Sequence, residues 1–265
     1  MPRAYRYYSP GCIWHITHRC HQRAFLLKFN IERQRWVHWL GEARRRYGLC
    51  ILNYCVTSNH VHLLVRDQGE GEIARSMQLI QGRVAQEYNQ RKRRTGVFWH
   101  DRYHATAVDT GMHVLRCCSY IDLNMVRAGV VQEPGQWRWC GYEEIIAGRT
   151  RGRLIDRAAL AETLLLDEAA GLARVYQERL AYLLDQQQTA REAQWTEAVA
   201  VGDPEFVEKV QHMLQSVRAT WQLLASGEQD GTVCLKDAAP AYPDDFTVQN
   251  GVLTVNFNHF QDATC

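Results

Sequence analysis

The chain has 265 residues, 46% hydrophobic and 23% charged, which suits one large or two small globular domains. No apolar run approaches the ~20 residues of a membrane-spanning helix. The polar, aromatic residues 1–8 do not read as a secretory signal, so a cytoplasmic protein with no membrane association is expected. The net charge of +2 conceals an asymmetry. Residues 1–150 carry 22 Lys and Arg against 12 Asp and Glu, whereas residues 151–265 carry 9 against 17. Such a division suggests a polyanion-binding unit joined to a different, acidic module.

In chain order, residues 11–20 alternate apolar and polar side chains, as a first strand does, with His15 either on the face of Arg19 or solvated. From Asn30 to Tyr47, Ile31, Trp36, Trp39, Leu40 and Ala43 fit the buried stripe of a helix. Arg33, Arg35 and Arg44 to Arg46 fit its wet side, with Asn30 as N-cap and Gly48 as terminator. Residues 49–57 read as a second strand, Ser58-Asn59 as a turn, and 60–66 as a third strand. A second helix over 69–91 has Ile73, Met77, Ile80, Val84 and Tyr88 as its buried line and runs into Arg91-Lys92-Arg93-Arg94. Residues 105–108 form a fourth strand, and 112–127 a third helix closed by Gly129. The first six elements, β-α-β-β-α-β, give an α+β class. The pattern is a ferredoxin-like or RRM-like antiparallel sheet with helices on one side. A basic linker at 149–153 divides domain 1–148 from an acidic, mainly helical extension at 149–265. The extension is expected to hold helices over 158–188 and 204–224, the latter with Asp203 as N-cap, and a short strand over 253–257. The nine cysteines, none in a Cys-x-x-Cys pair, read as reduced core residues.

The chemistry centres on His60-Val61-His62. Side chains alternate along a strand, so the two imidazoles share a face roughly 7 Å apart and can close on one metal ion. Spacing alone fits two solvated histidines equally well. On the third helix Tyr120 and Asn124 are four apart and share a face, which Arg127 approximately joins. In isolation a helical Tyr and Asn are more often packing or surface residues. Two imidazoles, an amide and a tyrosine together suggest metal-assisted nucleophilic attack on a phosphodiester.

Asn59-His60-Val61-His62-Leu63-Leu64-Val65 resembles the His-hydrophobic-His signature of the IS200-like single-tyrosine transposases. Tyr120-Ile121-Asp122-Leu123-Asn124 followed by Val126-Arg127-Ala128-Gly129 resembles the tyrosine helix of their REP-associated branch, and Phe98-Trp99 with Arg102-Tyr103 and the opening Tyr5-Arg6 also resemble that branch. The resemblance covers residues 3–146. It departs from the branch at Thr57-Ser58, where Met-Pro is usual, and at Met125, where Asn-Pro is usual. It implies a single-stranded DNA endonuclease and strand transferase acting at hairpin-associated sites through a covalent 5′-phosphotyrosine. It further implies Tyr120 as nucleophile and His60, His62 and Asn124 as ligands of a divalent ion, taken as Mg²⁺ or Mn²⁺.

The expected partner is single-stranded DNA bearing a hairpin, bound by a chain taken as a monomer. Contacts are assigned to Arg91, Lys92, Arg93, Arg94, Arg102 and Arg127 and to the 149–153 linker, with strong salt dependence. Trp14, Trp99 and Tyr103 are available to stack unpaired bases. Two other readings stand beside the enzyme: a retained transposase-like protein that grips structured DNA or RNA without cutting, and a zinc-stabilised scaffold.

Overall fold

The computed structural model describes residues 9–148, 153–166, 171–215, 221–225, 231–237, 246–249 and 252–255. The Tyr5-Arg6 motif, the domain boundary at 149 and most of the basic linker lie outside them. Strand β1 (Ile13–Arg19) leads through a single 3₁₀ turn to α1 (Asn30–Tyr47), then β2 (Cys50–Val56), β3 (His60–Arg66), α2 (Glu72–Arg91) and β4 (His104–Val108). These four strands form the antiparallel core of the sheet in the order β2-β3-β1-β4. The class is α+β, and β3 lies between β2 and β1, so both of its backbone edges are hydrogen-bonded.

Strand alternation gives the sheet two faces of different use. Trp14, Ile16 and His18 of β1 pair with Val65, Leu63 and Val61 of β3. This face is covered by α1 and α2, whose Trp36, Leu40, Ile73, Met77, Ile80 and Val84 are all buried. Gly48 ends α1 in the left-handed conformation at φ 71°, which a residue without Cβ adopts freely. Asn30 does not cap α1. It is the first helical residue, and its Oδ1 accepts from Arg33 and Trp139.

The other face carries Ile13, His15, Thr17 and Arg19 opposite Arg66, Leu64, His62 and His60. Here docks α3 (Met112–Asp122), and the helices thus lie on both sides of the sheet rather than on one. The predicted helix over 112–127 is interrupted at Leu123 (φ −76°, ψ 0°) and resumes as the four-residue α4 (Asn124–Arg127). Gly129 follows at φ 66°.

The extension is not a separate helical unit. After α5 (Tyr142–Ala147), α6 (Arg157–Thr163), α7 (Leu172–Asp185) and α8 (Gln194–Glu197), the short β5 (Ala200–Gly202) pairs parallel with β4. Helix α9 (Pro204–Gln215) intervenes, and β6 (Trp221–Ala225) and β7 (Val233–Asp237) complete a seven-stranded sheet ordered β2-β3-β1-β4-β5-β7-β6. The stretch expected as one helix over 204–224 is therefore a helix followed by a strand. β8 (Phe246–Gln249) and β9 (Val252–Val255) form a separate hairpin. The eight cysteines among the described residues are free thiols, seven of them buried, and no described helix is long and apolar enough to cross a membrane. Cys265 lies outside the described residues.

Candidate active site

The turn before β3 positions His60. Thr57 Oγ1 accepts from the backbone N–H of Asn59 and His60 and donates to the His60 carbonyl, closing the turn that Met-Pro would otherwise stiffen. The Asn59 side-chain N–H donates to the Arg23 carbonyl at 3.1 Å, which leaves Asn59 Oδ1 as an acceptor 2.7 Å from His60 Nδ1. His60 Nδ1 therefore carries the proton, and its Nε2 presents a lone pair. His60 lines a cleft of about 520 Å³.

His62 lies deeper, 1% exposed. Its Nδ1 is 2.9 Å from His15 Nε2 and its Nε2 is 2.9 Å from Asn124 Nδ2. The His60 and His62 ring centroids are 4.9 Å apart. Burial pushes the His60 imidazolium down to about 4 and that of His62 well below its usual value, and Arg19 and Arg127 push in the same direction. Both rings are neutral at physiological pH, the form that binds metal.

Tyr120 and Asn124 reach the same spot from α3 and α4, and Met125, in place of the expected Asn-Pro, is buried. The Tyr120 ring meets those of His62 at 5.8 Å and His15 at 6.2 Å, both edge-on. Arg127 lies over it with its guanidinium carbon 4.3 Å from the centroid and also donates to the Tyr120 carbonyl. Burial raises the Tyr120 phenol above its ordinary pKa, while Arg127 and Arg191 oppose the rise. The phenol is thus protonated at rest, with two cations placed to favour its ionisation.

The residues present suit a divalent cation. Two neutral imidazoles and a side-chain amide converge, and each Nδ1 is engaged in a hydrogen bond that holds its ring. In the arrangement seen, the Asn124 N–H donates to the His62 lone pair that a cation would take. One other group of potential ligands occurs among the described residues, Asp109, His113 and Asp203, with donor atoms within 4.8 Å of one another. Asp109 accepts backbone N–H bonds from Thr110 and Asp203, and Asp203, expected as an N-cap, pairs with His113 at 3.1 Å. These bonds tie the start of α9 to the β4–α3 turn, away from the cleft.

The cleft is basic. Arg19, Arg23, Arg102, Arg127 and Arg191 line it with His100 and His104, against a single carboxylate, Glu197. Of the six residues predicted to contact DNA, Arg102 and Arg127 are here. Arg91, Lys92, Arg93 and Arg94 are not, and Arg91 pairs with the buried Glu32. Trp14, Trp99 and Tyr103 are buried and not available for stacking. Trp99 packs on His18 at 4.3 Å and donates to the Gln81 carbonyl of α2. Sequence reasoning missed Arg19, Arg23, Arg191, the tie from Asn59 and the role of His15, which is fully buried rather than solvated. A polar residue in the middle of a core strand was the available signal for His15.

Residues 8–124 match the family model for IS200-like transposases. Among solved structures the chain is similar to a REP-associated tyrosine transposase bound to a REP hairpin. That match has 20% identity, covers 59% of this chain and 94% of that one, and has a TM-score of 0.47. It is also similar to a candidate transposase from Deinococcus radiodurans, with 16% identity, 49% and 94% coverage and a TM-score of 0.33. No curated protein matches the chain.

Proposed function

We propose, from the match of residues 8–124 to the family model for IS200-like transposases, that the chain is a transposase of that kind, which cuts and rejoins single-stranded DNA beside a hairpin, using Tyr120 as nucleophile. The observation that carries this reading is the meeting of Tyr120 with His60, His62 and Asn124 in an arginine-lined cleft. The hairpin-associated substrate follows from the likeness of the 59–65 and 120–129 motifs to the REP-associated branch.

His60, His62 and Asn124 would hold the divalent ion, Mg²⁺ or Mn²⁺. Such an ion neutralises charge on the scissile phosphate and polarises its P–O bond. Tyr120 Oη passes its proton to water and attacks phosphorus, and water returns one proton to the departing 3′ oxygen, so the step is proton-neutral. The Oη–P bond forms, and the P–O3′ bond breaks to leave a 3′-hydroxyl. The 5′ side stays on the enzyme as phosphotyrosine, and attack on it by a 3′-hydroxyl reverses these changes and joins strands. Arg127 stabilises the phenolate across the ring face, and the other cleft arginines hold backbone phosphates.

The test is detection of a protein–DNA adduct on denaturing gels, over a panel of hairpin-bearing single strands with Mn²⁺. Wild type should form it. Tyr120→Phe should form none, and an undiminished adduct in that variant would sink the assignment. Joint replacement of His60 and His62 by Ala should also abolish the adduct while leaving most DNA binding intact.

A further inference from the structure

We infer that the C-terminal extension is a working part of the active centre, because the Trp195 carbonyl, acting through His15, fixes the tautomer in which His62 offers its Nε2 lone pair to the cleft. The inference rests on the proposed metal role of His62 and concerns a residue that neither motif contains.

The chain of bonds leaves little freedom. A carbonyl oxygen only accepts, so His15 Nδ1, 2.8 Å from the Trp195 oxygen, must carry a proton. A neutral imidazole has one N–H, and His15 Nε2 is then an acceptor. His62 Nδ1, 2.9 Å away, must be the donor. That leaves the proton off His62 Nε2, on the side facing Asn124. The opposite assignment needs a doubly protonated His15. Its ring is fully buried, where a charged imidazolium is disfavoured. Metal-binding histidines commonly have their tautomer set by such a partner on the second nitrogen.

The extension is firmly placed to do this. Trp195 is itself fully buried, with its ring 6.3 Å from that of Tyr120. Three residues on, the Ala198 carbonyl accepts from Thr106 Oγ1 at 2.7 Å and from His104 Nε2 at 2.8 Å. Immediately after, β5 pairs with β4. Upstream, the Thr189 carbonyl accepts from Arg127 Nε at 2.8 Å and so holds the cation that lies over Tyr120. One segment, 189–198, thereby grips both halves of the site through backbone carbonyls: the histidine half through His15 and the tyrosine half through Arg127. His15 is a positioning residue, since it touches His62 and not the DNA.

The test reads protons directly. Long-range ¹⁵N–¹H correlation spectra of the full-length, histidine-labelled protein without metal should show both His15 and His62 protonated on Nδ1. His15→Phe keeps a flat ring and removes the acceptor. In that variant His62 should move to a mixed or Nε2-protonated state, and Mn²⁺ binding measured by calorimetry should weaken about 10–100-fold. His15→Gln offers Oε1 to His62 Nδ1 and should restore most of the affinity. An Nε2-protonated His15 in wild type overturns the inference, whether or not the phenylalanine variant folds. An unchanged His62 tautomer in a folded His15→Phe protein overturns it as well. None of these readings needs DNA or cleavage, so they stand apart from the Tyr120→Phe adduct test. That test can fail while the relay holds, and the relay can fail while Tyr120 still forms its adduct.

Discussion

Two regions of this molecule are rich in arginine, and they use it differently. The run Arg91 to Arg94 is the densest positive stretch in the chain, yet three of its four side chains contact other parts of the same chain at the surface. Arg91 pairs with the buried Glu32, Lys92 sits over Phe29 at 5.2 Å, and Arg94 donates to the Asn89 side chain and the Val97 carbonyl. The cleft draws single arginines from positions 19, 23, 102, 127 and 191, and Arg19, Arg23 and Arg102 form no ion pair among the described residues. Charge crowded along a sequence repels itself and is answered locally. Charge scattered along the sequence but converging in space leaves an unanswered field, which is what a phosphate backbone meets.

The sharpest way to break this contrast is Arg127. Its guanidinium lies over the Tyr120 ring and is fixed by the Thr189 and Tyr120 carbonyls. Arg127→Ala should lower adduct formation by about 100-fold, the scale of losing one preorganised charge from a reaction centre. Arg127→Lys should recover part of that, since it restores charge but not the planar stack. Single-turnover cleavage rates decide the matter, and equal rates for wild type and Arg127→Ala would remove Arg127 from the chemistry.

A second measurement follows a charge the fold keeps in its interior. Asp122 is fully buried on α3 and accepts from Tyr176 of α7 at 2.5 Å, and burial raises its pKa from 3.8 to about 7. The folded state therefore holds a proton that the unfolded chain releases between those values. Stability should fall as pH rises from about 4 to about 7 and then level off. Asp122→Asn, which still accepts from Tyr176, should remove most of that pH-dependent change, about 4 kcal/mol over the interval. Denaturant titrations at several pH values test it, and an unchanged slope would show that Asp122 ionises normally.

The basic run gives the third. Arg91→Ala strands a carboxylate that is 2% exposed and should cost about 2 kcal/mol of stability, the usual range for breaking a buried pair reduced because Arg91 itself is partly exposed. Affinity for hairpin DNA should hardly change in the folded fraction. A stable variant with weakened DNA binding would place the run in the interface after all.

Much of this architecture could be read from the sequence where local periodicity decides it. The alternation of β3 puts His60 and His62 on one face, and four-residue spacing puts Tyr120 and Asn124 on another, before any tertiary contact is known. What decides the remainder is long-range. His15 meets His62 only because β1 pairs with β3 in one register, Thr17 opposite His62. Trp195 meets His15 only because α8 docks under β4. The three-residue β5 is too short to leave a pattern, and its pairing with β4 carries the sheet across the expected domain boundary. The strand β6 was absorbed into a predicted helix because α9, just before it, has a strong apolar stripe. Backbone carbonyls such as those of Thr189 and Trp195 have no residue signature at all.

The smallest effect tests the comparison most directly, because it sets one exposed arginine against another. Arg102 is exposed at the cleft and Arg93 is exposed at the end of α2, so neither truncation should alter folding. If convergence rather than density makes the interface, Arg102→Ala should weaken hairpin DNA binding by about tenfold. It should also reduce the slope of log affinity against log salt by about 0.7, the value of one phosphate contact on a single strand. Arg93→Ala should move neither quantity, although it removes the same formal charge. Equal losses from the two would mean that only the net charge of the basic half matters, and the cleft would lose its standing as the DNA path. A loss at Arg102 alone ties the electrostatic footprint to the residues that surround Tyr120.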